Sequence, residues 1–242
     1  MKRTISTLMI LLLPLCLSAK TKPKDQTPPA APAAQKVVKA VRALEPIKID
    51  GRLEEKAWKG EASDGFTQND PKDGEPATEQ TKVWVAYDDK ALYVAAYCYD
   101  SEPDKIIGRL GRRDSQVDSD WFLVAVDPYY DKRTGYQFGV NPVGTITDST
   151  LSNDVNEDDS WDGVWEAKAE INGQGWTVEI RIPLNQMRFP KKDEYIWGVN
   201  FRRIIKRKNE VVSFSWVPKS EPAFVSKFAQ MEGIRGIKPG RH

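Results

Sequence analysis

Hydrophobic and polar positions alternate in short bursts along this chain, and one unbroken apolar burst of strand length lies near the middle of the expected domain. Trp121 to Val126 reads WFLVAV, the length of a strand buried on both faces. Asp127-Pro128 stops it, and Asp131 to Gly135 is turn material. Tyr136, Phe138 and Val140 then alternate with Gln137, Gly139 and Asn141, the period of a half-buried strand. The stretch predicts a hairpin with one strand in the core and one at its border.

The same reading predicts a hairpin of 81–87 and 91–99 across Asp88-Asp89-Lys90, and another of 165–171 and 176–182 across Asn172 to Gly175. A third joins 195–205 to 211–216, and Phe228 to Ile237 makes a last strand. Ile47-Lys48-Ile49 reads as a short strand, followed by one or two helical turns over 53–59. Residues 60–79 and 151–163 read as loops, the second acidic. About ten short strands with turn signals between them predict an all-β fold, an antiparallel β-sandwich of jelly-roll type.

The first 36 residues follow no such pattern. Lys2 and Arg3, the apolar run 8–17 and Leu17-Ser18-Ala19 have the parts of a cleavable export signal over 1–19. Leu13 to Cys16 is a poor lipoprotein box because Leu15 is not small. Residues 20–36 are rich in Pro, Ala and Lys, a linker, so the folded domain is expected over 37–242. An exported protein of this kind is expected in the periplasm, at the outer membrane or outside the cell, with no transmembrane segment once the signal is removed.

Charge changes the picture modestly. The formal net charge is +1, but residues 1–42 carry a local +7, which leaves −6 for the rest. A mildly acidic domain without a basic stripe argues against a nucleic-acid partner. The only histidine is His242. That removes Ser-His-Asp and Cys-His catalysis and histidine-held zinc or haem. Carboxylates are plentiful, but no pair is singled out for glycoside hydrolysis, so no catalytic residue is assigned. Cys98 is the one cysteine outside the export segment and reads as a small buried hydrophobe.

The order of motifs resembles carbohydrate-binding module family 9, a β-sandwich module. The residues are Ile49-Asp50-Gly51 with Ala57-Trp58, Val83 to Asp88 with Leu92-Tyr93-Val94, and Asp118-Ser119-Asp120 with the strand ending at Asp127. Gln137 to Asn141 and Gly175 to Ile180 complete the set. More closely, the chain resembles the N-terminal domain of bacterial outer-membrane proteins in which this module precedes a large β-barrel. The chain stops at Arg241-His242 without a barrel, which leaves a free-standing module or a truncated gene as alternatives.

The resemblance implies a non-catalytic module that binds a carbohydrate ligand, in the service of polysaccharide breakdown. The alternative is an interaction domain for an outer-membrane barrel partner. Sugar-binding members clamp a terminal sugar between two tryptophans, with a glutamate and an arginine. The corresponding positions here are Val117 and Pro222, Leu123 and Gly139, so that clamp is not present.

Other residues therefore become the candidate carbohydrate site. Trp161 and Trp165 flank the acidic loop and could stack on a pyranose or serve as core. Arg112 and Arg113 precede the central strand and offer guanidinium forks for hydroxyls or uronates, with local ion pairing to Asp118 or Asp120 as the alternative. Asp120 and Asn141 are expected to line the same cleft. No cofactor is required. Asp154, Asn156, Asp158 and Asp159 supply oxygens suited to calcium, but the loop lacks the glycine and terminal glutamate of a calcium loop, which favours a solvated acidic loop.

Overall fold

The computed structural model describes residues 35–115 and 117–240. The expected export segment and residues 20–34 of the linker lie outside them.

Thirteen strands run in order as β1 (Val37–Arg42), β2 (Thr67–Asp70), β3 (Thr81–Tyr87), β4 (Ala91–Tyr99), β5 (Trp121–Asp127), β6 (Gly135–Val140) and β7 (Ile146–Ser152). They continue as β8 (Asn156–Asp158), β9 (Glu166–Asn172), β10 (Gly175–Pro183), β11 (Glu194–Ile205), β12 (Glu210–Ser213) and β13 (Ala229–Arg235). One face of the sandwich, sheet A, has the order β8-β7-β6-β5-β11-β13, with β12 and β2 added beside β11. The other, sheet B, has the order β3-β4-β10-β9.

The first strand joins the two sheets. Val37 to Lys39 pair with Gln230 to Glu232 of β13, and Ala40 to Arg42 pair with Val85 to Tyr87 of β3, both in parallel. The sandwich is thus mixed rather than purely antiparallel. Gly233 (φ +95°) stands where β1 leaves sheet A, and a Cβ there would lie 2.5 Å from the Ala40 carbonyl oxygen. No side chain fits that crossing.

The inner faces show the two-residue period directly. Phe122, Val124 and Val126 of β5, Phe138 and Val140 of β6, and Trp197, Val199 and Phe201 of β11 point inward from sheet A. Val83, Val85, Val94, Ala96, Trp176, Val178 and Ile180 meet them from sheet B. Cys98 is fully buried among them, and burial pushes its thiol up to about 12. It is inert by that measure.

Several expectations require correction. Residues 47–49 form no strand; they lie packed on the outer face of sheet B. The predicted loops contain β2 and β8, and β7 was not anticipated because its ITDSTLS sequence is polar. The second strand of the central hairpin, β6, is interior, flanked by β5 and β7. Arg203 occupies an inward position of β11 and is fully buried. It donates to the Gln80 carbonyl at 3.1 Å and faces Asp100 at 3.6 Å, and Arg207 reaches the same carboxylate at 2.5 Å. Among the described residues no helix is long and apolar enough to cross a membrane.

Candidate functional site

Alternation that sends Phe122 and Val124 inward sends Trp121, Leu123 and Ala125 to the outer face of sheet A. The same period puts Gln137 of β6, Thr147 of β7 and Arg202 and Ile204 of β11 on that face, Gln137 buried and the other three half-buried. All of these but Ala125, together with Glu157 of β8 and the rim at 117–119, line a groove of about 400 Å³.

Its floor is one cross-strand row. Arg202 pairs with Leu123, Leu123 with Gly139, and Gly139 with Thr147. A Cβ on Gly139 would lie 2.7 Å from the Thr147 methyl and 3.3 Å from Leu123, so the row stays flat and apolar there.

Two polar groups in the groove lack partners. Gln137 Nε2 donates to Glu157 at 2.7 Å, and Ser149 Oγ donates to the same oxygen at 2.7 Å. Gln137 Oε1 is buried and accepts nothing among the described residues. Arg202 is half-buried, with its guanidinium over the Phe224 ring at 5.7 Å. No carboxylate lies within 4 Å of it among the described residues. Burial lowers its pKa from the ordinary value, against the longer-range pull of Glu157 and Asp70. Lys206 at the groove end differs, for its Nζ is 2.6 Å from Asp118.

Phe224 is held against Arg202 from an unexpected quarter. Asp154 (φ +75°) accepts from the Phe224 and Ser226 amides at 3.0 and 2.8 Å and from Ser226 Oγ at 2.8 Å. The acidic loop that suggested calcium thus spends Asp154 on anchoring 224–226. Asp158 accepts from Ser160. The carboxylates that do come together are Asp114, Asp148 and Asp162, and Arg113 sits among them, pairing with all three.

The residues expected to form the site do not share one cleft. Trp165 is in the core, edge-on to Phe138 at 5.2 Å. Trp161 is half-buried against Tyr136 and Phe138, its ring folded over Gly163. Arg113 also donates to the Gly163 carbonyl, tying the loop between these tryptophans to β7. Asn141 is fully buried, and both ends of its amide are spent: Nδ2 donates to the Arg109 carbonyl at 2.7 Å, and Oδ1 accepts from Thr145 at 2.8 Å. Asp120 is buried, accepts from the Lys206 amide at 2.9 Å, and burial raises its pKa. Arg112 is exposed on the loop before β5. None of these side chains lines the groove.

The residues that line it were visible only as an alternation. Leu123 and Gln137 could have been placed by assigning the outward register of β5 and β6. Arg202 could have been found as the outward neighbour of Phe201. Two positions marked by the missing clamp, Val117 and Leu123, line this groove, and Gly139 is in its floor row.

A second groove of about 370 Å³ lies on the outer face of sheet B, lined by Trp84, Tyr97 and Asn172. The polar groups of its floor are already engaged. Trp84 Nε1 donates to the Gly60 carbonyl at 3.0 Å, Tyr97 Oη to Asn172 at 2.8 Å, and Thr177 Oγ1 to the Gly51 carbonyl at 2.6 Å. Beside it, residues 47–59 cover the sheet with Ile47, Ile49, Leu53 and Trp58. Glu179 fixes that cover. It accepts from Trp58 Nε1 at 2.9 Å and from the Asp50 and Gly51 amides at 3.0 and 2.9 Å. Burial nonetheless pushes its carboxyl up to about 7. Gly51 (φ +87°) makes the turn, with the backbone of Ala169 3.1 Å from where a Cβ would be. The Ile49-Asp50-Gly51, Trp58 and Glu179 motifs therefore serve one structural device.

Solved structures share this fold. A family 9 carbohydrate-binding module from Caldicellulosiruptor kristjanssonii, in complex with cellotriose, aligns with a TM-score of 0.59 at 19% identity, over 84% of this chain and 100% of that one. A family 9 module from the same organism, in complex with glucose, aligns at 0.61 and 18% identity, over 85% and 97%. A Bacteroides uniformis protein, provisionally described as carbohydrate-binding, aligns at 0.65 and 12% identity, over 82% and 99%. No protein of curated function matches the chain. Residues 49–217, more than half of the chain, match the model of the carbohydrate family 9 binding domain-like family, and the chain belongs to that family.

Proposed function

We propose that this chain is an exported, non-catalytic glycan-binding protein whose ligand lies in the groove on sheet A. The observation that carries the reading is the pairing of an apolar floor with unspent polar groups. Leu123, Gly139 and Ile204 offer a surface for the C–H face of a pyranose. The Arg202 guanidinium offers donors to its hydroxyls, and Gln137, whose Oε1 has no partner, becomes an acceptor once its buried amide turns outward. A site that already contains polar groups short of partners gains from a ligand that supplies both donors and acceptors.

The groove is shallow and its polar contacts few, so affinity is weak, roughly micromolar to millimolar. Such binding suits retention on a polymer at the cell envelope and supports polysaccharide catabolism carried out by other proteins.

Calorimetric titration of the full chain with a glycan panel that includes cellotriose tests this. Ile204→Ala lowers affinity about tenfold or more with little change in melting, and Trp161→Ala leaves affinity unchanged. Gln137→Ala lowers both affinity and melting temperature, because the Gln137 amide is buried against Glu157. A protein that binds no glycan yet retains an outer-membrane barrel in pull-down would instead be an interaction domain.

A further inference from the structure

The charges of the groove are not evenly answered. Lys206 is neutralised by Asp118 at 2.6 Å. Glu157 accepts two hydrogen bonds from neutral donors. Arg202 alone has neither an ion-pair partner nor a side-chain hydrogen bond among the described residues. It is held half-buried by Phe224, which is itself fixed by Asp154. Between the strands that carry Arg202 and Glu157 lie β5, β6 and β7, a separation of about 19 Å between backbones. Glu157 reaches back over β7 to Gln137 on β6, and its pull on Arg202 is felt only at longer range, with no carboxylate within 4 Å of the guanidinium among the described residues. The row that holds Arg202 contains no other charged residue.

A guanidinium kept from full hydration without a counter-ion is costly, and a planar carboxylate satisfies it with two parallel hydrogen bonds. A hydroxyl satisfies one donor and leaves the charge unanswered. We propose that the groove selects glycans bearing a carboxylate, uronic-acid residues in particular, with the carboxylate on Arg202 and the ring over Leu123 and Gly139. This rests on the reading of the groove as the glycan site.

The test is calorimetric titration of the full chain with four ligands. They are the linear trisaccharides of galacturonic and of glucuronic acid, the methyl ester of whichever binds tighter, and cellotriose. The acid form binds about tenfold or more tighter than its ester, as expected for a charge-assisted pair. Raising sodium chloride from about 0.05 to 0.5 M narrows that gap by screening and leaves ester and cellotriose binding unchanged. Arg202→Gln abolishes the preference, and Arg202→Lys keeps part of it, because a point charge lacks the fork. Should Arg202→Gln fail to fold, the ester and salt comparisons on the unaltered protein decide alone.

Equal binding of acid and ester, with both lost in Gln137→Ala, overturns the uronate preference and leaves the glycan groove standing. Binding of none of the four ligands removes the glycan reading and this proposal with it.

Discussion

The two outer faces of the sandwich solve the same problem in opposite ways. Each is a sheet surface that turns apolar side chains outward. Sheet B is roofed by residues 47–59, and the buried Glu179 carboxylate ties the roof down through three N–H donors. Even the groove beside that roof has the polar groups of its floor spent. Sheet A has only the 224–228 segment over one corner, where Val225 and Phe228 cover Ala125 and Leu151. The rest stays open, with Gln137 Oε1 and Arg202 unanswered. The roofed face is not free of unpaired atoms, for Glu55 Oε2 is buried there without a partner, but it is covered by the chain's own residues. An open face with an unpaired guanidinium is suited to a ligand.

The largest expected effect would break the comparison altogether, since both faces rest on one core. Val124 is fully buried between the sheets. Val124→Asp places an unpaired charge there, at a cost comparable with the whole stability of a domain, ~5–15 kcal/mol. The expected outcome is loss of the cooperative melt; a soluble protein that still melts cooperatively would remove β5 from the interior.

Next comes the roof. Glu179→Ala strands the three N–H donors and frees Trp58, at a cost of about 3–5 kcal/mol. Residues 47–59 should then be the first site of limited proteolysis. Affinity for glycan on sheet A should be unchanged, and a parallel loss of binding would show that the faces are not independent.

Trp165→Ala removes an aromatic from the core and should cost about 3–5 kcal/mol. Trp161→Ala should cost less, because its ring is only half-buried. Thermal melts separate both from a binding role, which would lower affinity without lowering the melting temperature.

A smaller effect follows pH. Glu179 titrates in the fold near 7, above its ordinary value of 4.5. Between those values the folded state holds a proton that the unfolded chain has lost. Stability therefore falls as pH rises from 4.5 to 7, by about 3 kcal/mol at most. Glu179→Gln should flatten that dependence, and an unaltered slope in denaturant titrations would assign it to another group.

The sandwich was legible because its core strands are apolar runs of strand length or alternate at the two-residue period: 81–87, 91–99 and 121–126 read directly. β7 was not, since Thr147 and Ser149 face the groove and Asp148 turns inward to Arg113, reversing the usual polarity. β1 escaped because it divides its pairing between two sheets. The short apolar run 47–49 imitated a strand, yet its residues roof sheet B and join no ladder. The site was harder. Tryptophans and exposed arginines drew attention to 112–113 and 161–165, while the groove is made of Leu123, Gln137 and Arg202, ordinary residues until the register of three strands puts them side by side. Sequence pattern reports which residues alternate; it does not report which face goes uncovered.

One measurement addresses the central claim that the open face is the glycan site. Amide chemical-shift mapping of the isotopically labelled chain, titrated with cellotriose and with the uronate trisaccharides, reports where ligand lands. The account predicts shifts clustered on β5, β6 and β11 around Leu123, Gln137 and Arg202, with residues 47–59 and 161–165 silent. Shifts centred on Trp84 and Tyr97 of sheet B, or on Trp161 and Arg113, with the groove silent, would contradict it.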